Sequence, residues 1–158
     1  MTHWIGGSTE NLGYSGDTPS NVLWRLQQIK RPRHWRRIVL IAGVNAAWQD
    51  PVCHNVAAGI EAVVLALKRL SPSARVFVLP VMPFGPDLEK SFNENRPINH
   101  KLAADAGRLG YELVDTASAI AARCTDGSTC PLLRDSLHPS QAGYDAIGSA
   151  LSTAMKAS

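Results

Sequence analysis

Apolar residues follow two alternating patterns along the chain: short unbroken runs, and longer segments in which they recur every three or four positions. The short runs predict strands at residues 37–43, 75–81 and 111–115, because near-continuous apolar runs are typical of strands covered on both faces. Residues 11–14 are a weaker candidate for a first strand. The longer segments predict helices at about residues 19–29, 51–70, 95–109 and 140–151.

The alternation of strand and helix favours an α/β fold. We expect one domain over residues 1–158, built as a three-layer αβα sandwich whose mostly parallel sheet has four or five strands. Thr18 before Pro19 is typical of a helix start, and Gly110 of a helix end. Ligand sites in such sheets lie beyond the carboxyl ends of the strands, so polar residues that come after the predicted strands are functional candidates.

Composition and charge exclude some classes of protein. The 158 residues are 45% hydrophobic and 18% charged, which is ordinary for a globular domain. No apolar run reaches the ~18 residues of a membrane span, and the N-terminus lacks a signal-peptide layout, which favours a cytoplasmic protein. The net charge of +3 is too small to indicate a polyanion binder by itself, so no nucleic-acid partner is expected.

A basic cluster precedes the first apolar strand. It consists of Lys30, Arg31, Arg33, His34, Arg36 and Arg37, interrupted by Pro32 and Trp35. The cluster is either a surface for nucleic acid or another anionic partner, or a solvated loop that leads into the strand. Nothing else in the chain resembles a nucleic-acid module, which favours the loop.

The three cysteines are Cys53, Cys124 and Cys130. Their odd number argues against a disulfide scaffold, and none has zinc-ligand spacing with histidine partners. Residues 125–129 have the composition of a turn, which leaves a local disulfide open, but two free thiols at Cys124 and Cys130 are favoured. The sequence implies no metal and no organic cofactor.

Four residues carry candidate chemistry. Asp135 precedes His138 by three positions on a loop before a helix, so His138 can act as a general base whose tautomer Asp135 fixes. The Asn45 amide and the Gly16 N–H can donate to a developing oxyanion. Each residue also has a plain alternative: a capping Asp beside a loop His, a turn Asn and a turn Gly.

With these residues the chain resembles the SGNH (GDSL-type) hydrolase family over nearly its whole length, from Asn11 to Leu151. Three blocks carry the resemblance: Asn11-Leu12-Gly13-Tyr14-Ser15-Gly16-Asp17-Thr18, Gly43-Val44-Asn45 and Asp135-Ser136-Leu137-His138-Pro139. It is similar to the branch that holds bacterial acyl esterases and the catalytic subunits of platelet-activating-factor acetylhydrolase. One departure is Ala46, which stands where the family usually has an Asp that braces the loop.

The resemblance implies a flavodoxin-like fold and a serine esterase that acts on a small ester, such as an acetylated sugar or a short acyl chain. It implies a catalytic triad in which His138 is the base and Asp135 orients it. It also implies an oxyanion hole made by the Gly16 N–H and the Asn45 side chain.

The nucleophile stays open. Gly6-Gly7-Ser8-Thr9 imitates the family's G-D-S block, which makes Ser8 the first candidate. Parallel neighbours need a crossover of about a dozen residues, and too few residues separate Ser8 from a strand at residues 11–14. Alternatively, Met1-Thr2-His3-Trp4 resembles the residues directly after the family's serine, so that serine and its strand would lie upstream of Met1. Ser15, beside Gly16, is a third candidate.

These alternatives lead to two hypotheses of function. One is a serine esterase with a triad of Ser8, His138 and Asp135. The other is a catalytically impaired domain that binds a ligand or partner. The family's first strand is central in the sheet. Without it, residues 11–14 could pair with the strand that starts at Arg37, and any gap that remains could be filled by a second chain in a homodimer.

Overall fold

The computed structural model describes residues 9–49 and 53–157. Along them, each strand is preceded and followed by a helix. The helices are α1 Pro19–Gln27, α2 Val44–Gln49, α3 Cys53–Leu70, α4 Leu88–Leu109, α5 Ala117–Ala121 and α6 Gln141–Lys156. The strands are β1 Arg37–Leu40, β2 Arg75–Val78 and β3 Glu112–Leu113. None of the described helices combines the length and the apolar character needed to cross a bilayer.

The three strands form one parallel sheet in the order β1-β2-β3. Val39 of β1 lies opposite Phe77 of β2, and Phe77 lies opposite Glu112 of β3. Phe77 and Val78 are fully buried, as expected for a strand paired on both edges and covered on both faces. The prediction of an α/β fold with a parallel sheet is confirmed.

The prediction of four or five strands is wrong for the described residues, in which the sheet has three. Residues 11–14 form no strand, and all four are exposed. Asn11 and Gly13 interrupt the apolar pattern there, so the segment has no continuous face to bury against a sheet. β1, β2 and β3 each end two to three residues before the end of the apolar run that predicted them, because the chain turns once it leaves the sheet.

The described residues divide into two compact units. The first unit holds residues 9–12, 82–94 and 114–157, and the second unit holds residues 13–49, 53–81 and 95–113. Helix α4 contributes its beginning to the first unit and its remainder to the second. The prediction of one domain over the whole chain, and that of a homodimer, stay predictions.

One face of α3 is buried in the core of the second unit. Ile60, Val63 and Val64 of α3 are fully buried, and their spacing places them on one face of the helix. Gly43, after β1, has φ +111°, and a Cβ there would lie 2.9 Å from both Ile60 Cδ1 and Val81 Cγ2. A glycine at position 43 therefore lets the chain turn directly over the core and deliver Asn45.

Gly43→Ala should lower the free energy of unfolding by about 2–4 kcal/mol, because it adds left-handed backbone strain to an overpacked contact. Thermal or urea denaturation would measure the change. Gly16→Ala is the matched control, since Gly16 has φ +78° but no atom within 4 Å of the added Cβ. Gly16→Ala should lower the free energy of unfolding by the backbone strain alone. Equal losses of stability in the two variants would contradict the packing argument.

The core of the first unit is a cluster of buried apolar side chains and sulfur atoms. Its members are Leu88, Ile120, Cys124, Cys130, Leu132 and Leu133, with Met82 packed against them. Cys124 and Cys130 form a disulfide, with their Cα atoms 5.2 Å apart, so the preference for two free thiols is wrong. The turn between them brings the sulfur atoms together inside an apolar cluster. A disulfide is typical of oxidising compartments, and the cytoplasmic location stays a prediction.

Candidate functional site

The loop between Leu132 and α6 is closed by its own backbone. The Arg134 N–H donates to His138 O at 2.8 Å, and Leu133 pairs with Pro139 in an isolated antiparallel bridge. Ser140 then caps α6, since its Oγ accepts from the Gly143 N–H at 3.3 Å. This turn, which we call the 133–139 loop, therefore holds its side chains on a defined backbone.

Asp135 and His138 lie in contact on the 133–139 loop. His138 Nδ1 is 2.9 Å from Asp135 Oδ2 and 3.0 Å from Oδ1, and the His138 backbone N–H donates to Oδ1 at 2.8 Å. The two side chains are 53% and 46% exposed for His138 and Asp135, respectively. Because Nδ1 faces the carboxylate, Nε2 is the ring atom left to exchange a proton with a substrate or nucleophile.

The Asp135 carboxylate is stabilised as an anion. The backbone N–H of His138, then its ring, then the charges of His138 and Arg134 lower the pKa of Asp135 from its ordinary value to about 2. Since the pKa of Asp135 is lowered in the folded state, the stabilisation that its carboxylate gives the fold is fully present above the ordinary pKa of an Asp side chain. That stabilisation is lost as the pH falls toward about 2. At neutral pH the Asp135 carboxylate is therefore charged, and it accepts a hydrogen bond from the His138 ring.

Ser136, between these two residues, has φ +61°, the only positive φ of a non-glycine residue in the part of the chain that the structure describes. A side chain in this region is uncommon and costs about 1 kcal/mol or more, so it persists only where its surroundings hold it. Gly85 provides one such contact, since its N–H donates to Ser136 O at 2.8 Å. Sequence reasoning missed Ser136, because no residue preference signals a strained serine.

The two candidate oxyanion donors both lie in the second unit. Asn45 lies in the first turn of α2, and its Nδ2 donates to Asp17 O at 3.0 Å. Gly16, with φ +78°, precedes Asp17 in the turn before α1. The bond between Asn45 and Asp17 ties the segment after β1 to the Gly16 turn, and it leaves the second amide hydrogen of Asn45 for another acceptor.

Asp17 lies in the sequence block that contains Gly16, but sequence reasoning assigned it no role. Its carboxylate pairs with Arg25 of α1, and the Arg25 guanidinium lies 4.1 Å from the centroid of the Tyr14 ring. Thr18 caps α1 in a reciprocal capping box with Asn21. These contacts lie on both sides of Gly16, so the turn that carries the predicted oxyanion donor is anchored at both ends.

Of the two serines that are candidates for the nucleophile, the structure describes only Ser15. Ser8 lies outside the described residues. Ser15 is exposed in the turn before Gly16. The crossover argument against Ser8 depended on a strand at residues 11–14, and because no strand exists there, the argument does not apply.

The basic cluster is an exposed loop that leads into β1. Arg33 N–H donates to Leu70 O at 2.7 Å, which ties the loop to the end of α3. An open groove of about 410 Å³ beside it is lined by Gln28, Ile29, Lys30, Arg31 and Arg33. The absence of a nucleic-acid partner stays a prediction. Among the residues described, no group of three or more His, Cys, Asp or Glu side chains could hold a metal ion.

A family model, that of the GDSL-like lipase/acylhydrolase family, matches residues 2–146. The platelet-activating factor acetylhydrolase IB subunit alpha1 of Rattus norvegicus is 31% identical over 143 residues, which cover 89% of this chain and 60% of that protein. The alpha2 subunit of Homo sapiens is 29% identical over 140 residues, 87% of this chain and 59% of that protein. The chain thus spans about three fifths of the length of these curated relatives.

Solved structures share the fold. A member of the lipolytic G-D-S-L family from Veillonella parvula superposes with a TM-score of 0.73 at 16% identity, over 89% of this chain and 75% of that one. A carbohydrate esterase of family 3 from Talaromyces cellulolyticus superposes with a TM-score of 0.66 at 15% identity, over 90% and 68%. At these identities the similarity shows a common fold.

Proposed function

The chain belongs to the GDSL-like lipase/acylhydrolase family, and from that membership we propose that it hydrolyses carboxylic esters with a serine nucleophile. The observation that carries the proposal is the hydrogen-bonded pair of Asp135 and His138. A capping Asp would need only the backbone N–H of His138, but here the carboxylate also accepts from the imidazole. That second contact supports an acid–base role.

The proposed reaction uses this pair to move one proton. The serine Oγ attacks the ester carbonyl while His138 Nε2 takes the hydroxyl proton. The Asp135 carboxylate keeps the proton of neutral His138 on Nδ1 and stabilises the imidazolium that forms. His138 then gives the proton to the leaving alcohol, and a water molecule activated in the same way releases the acid.

The oxyanion hole is proposed from Gly16 and Asn45. The bond from Asn45 to Asp17 O supports it, because it orients the amide and leaves its second hydrogen available. The family's usual Asp braces the loop after Asn45, and Ala46 cannot do so. The bond from Asn45 to Asp17 O would provide a brace in its place. The Gly16 turn, anchored through Asp17, would provide a backbone donor that does not need to reorganise as the charge develops.

We propose an acetyl ester or another short acyl ester, including that of an acetylated sugar, as the substrate. Similarity to platelet-activating factor acetylhydrolase subunits supports an acetyl group, and the fold shared with a carbohydrate esterase supports a sugar as one alcohol. The exposed position of His138 and Asp135 would leave room for a hydrophilic alcohol to depart into solvent.

Ser8 is the proposed nucleophile, and p-nitrophenyl acetate hydrolysis tests it. We expect turnover by the wild type and a loss of about 10³-fold or more in kcat for Ser8→Ala, because the variant would lack the hydroxyl that attacks the ester. Ser73→Ala is the matched control, since Ser73 is exposed in a turn before β2.

Two results would contradict the assignment. Turnover that survives Ser8→Ala but is lost in Ser15→Ala would move the nucleophile to Ser15. A wild-type protein without turnover would support the second hypothesis, a domain that binds an ester or a partner without hydrolysing it.

A further inference from the structure

We propose that the segment closed by the Cys124–Cys130 disulfide, which we call the disulfide loop (residues 124–130), positions Asp135 and His138 through Gly127. This inference rests on the proposed function, because it assigns a positioning role beside the same pair. Gly127 would be a positioning residue, since it acts through the backbone of Ser136.

The disulfide loop is anchored at both ends in the core of the first unit. The half-cystines Cys124 and Cys130 are 7% and 5% exposed and join the apolar cluster around Leu88 and Ile120. The Cys124 N–H donates to Ile120 O at 3.0 Å, which continues the last turn of α5. The disulfide therefore fixes the two ends of a short loop against a rigid core.

The disulfide loop pairs with the segment just before α4. The Leu88 N–H donates to Thr125 O at 2.9 Å, and the Gly127 N–H donates to Pro86 O at 3.0 Å. Between these bonds Asp87 and Asp126 form an antiparallel bridge. The disulfide loop thus holds the segment of residues 85–88 by antiparallel backbone hydrogen bonds, as in a β-hairpin.

That segment in turn holds the 133–139 loop, and Gly127 contacts both. Gly85 N–H donates to Ser136 O at 2.8 Å. A Cβ on Gly127 would lie 2.1 Å from Gly85 O and 3.1 Å from Ser136 Cβ. Backbone oxygen at 2.1 Å cannot be avoided by rotating a side chain, so only a glycine allows the three segments to stack this closely.

The contact matters because Ser136 is strained. Its φ of +61° persists only while the surrounding backbone holds it. Asp135 and His138 lie on either side of Ser136, and their hydrogen bonds need both side chains on the same side of the turn. If Gly127 and Gly85 moved away, Ser136 could relax to an ordinary conformation and the two side chains would separate.

Reduction of the disulfide tests the inference without changing any residue. A dithiol such as dithiothreitol supplies two electrons and two protons, so the Cys124–Cys130 bond becomes two thiols while the reagent becomes its own disulfide. We expect kcat for p-nitrophenyl acetate to fall by about 10²-fold with KM little changed, as for a catalytic group displaced by about 1 Å. The same treatment of a Cys124→Ala/Cys130→Ala variant controls for effects elsewhere.

A second readout does not depend on turnover. Nuclear magnetic resonance of the Asp135 carboxyl carbon should show its pKa at about 2 in the oxidised protein and closer to the ordinary value after reduction. A loop that only stabilised the fold would not move this titration while the protein stays folded. If the wild type lacks esterase activity, the proposed function fails, but the titration still decides the positioning role.

Gly127→Ala provides the second variant, with the disulfide intact. It should reproduce the loss of kcat and the rise in the Asp135 pKa. Gly107→Ala in α4 is its matched control, because an added Cβ at Gly107 meets no atom within 4 Å. Either of two results would overturn the inference: the same Asp135 titration in oxidised and reduced protein, or the same titration in Gly127→Ala and Gly107→Ala.

Discussion

His138→Ala should reduce kcat for p-nitrophenyl acetate by roughly 10⁴-fold or more, leaving only the rate that the oxyanion donors and substrate binding supply. The reason is chemical: a serine hydroxyl is a weak nucleophile without a base, and the imidazole that Asp135 holds by Nδ1 offers its other nitrogen for the proton. Steady-state kinetics would measure the loss. His100→Ala is the matched control, because His100 is exposed on α4.

Asp135→Asn should act through His138 rather than separately. The amide keeps the shape of the carboxylate but loses its charge and turns a donor toward the ring, so kcat should fall by about 10³–10⁴-fold. Adding Asp135→Asn to His138→Ala should cost little more, because residues that act as one unit are not additive. Independent effects of the two changes, or full activity in His138→Ala, would mean that the pair merely closes the loop before α6.

Asn45→Ala should lower kcat by about 10²–10³-fold with little change in KM, because an oxyanion donor acts on the transition state more than on the bound ester. Steady-state kinetics with p-nitrophenyl acetate would separate the two constants. The substitution also removes the bond to Asp17 O, which contributes about 1 kcal/mol to folding, so the rates should be compared at equal folded fractions.

The control for Asn45 is Asn99→Ala. Asn99 also donates its amide to a backbone carbonyl at 3.0 Å, that of Val81, but it has no proposed role in the reaction. We expect Asn99→Ala to lower stability and to leave kcat of the folded protein near the wild-type value. Equal losses of kcat in both variants would assign Asn45 a structural role.

Much of the fold arises from interactions between residues that are close in the chain. Thr18 and Ser140 cap α1 and α6 as their residue types predict, and Gly110 ends α4 with φ +68°. The apolar runs that start at Arg37 and Arg75 become β1 and β2. Capping, periodicity and glycine geometry depend on a few neighbouring residues, which is why the sequence alone predicts them.

Helix α4 shows where local rules fail. The predicted helix starts at about residue 95, but α4 begins at Leu88 and continues through Pro97. Asp87 caps its start by accepting from the Lys90 N–H at 2.8 Å. The fully buried Leu88 and Ile98 anchor it on both sides of the proline, and this burial outweighs the cost of a proline inside a helix.

The proximity of Asp135 and His138 was determined by the sequence itself, because the two residues are three positions apart in one turn. Three features were decided by the tertiary structure: the disulfide, the strain at Ser136 and the close packing of Gly127 on Gly85. Each depends on groups beyond the local chain, such as a core around the sulfur atoms or a neighbouring backbone. Spacing along one segment contains no information about such neighbours, so residue patterns can identify Asp135 and His138 as a candidate pair but not the structure that holds them.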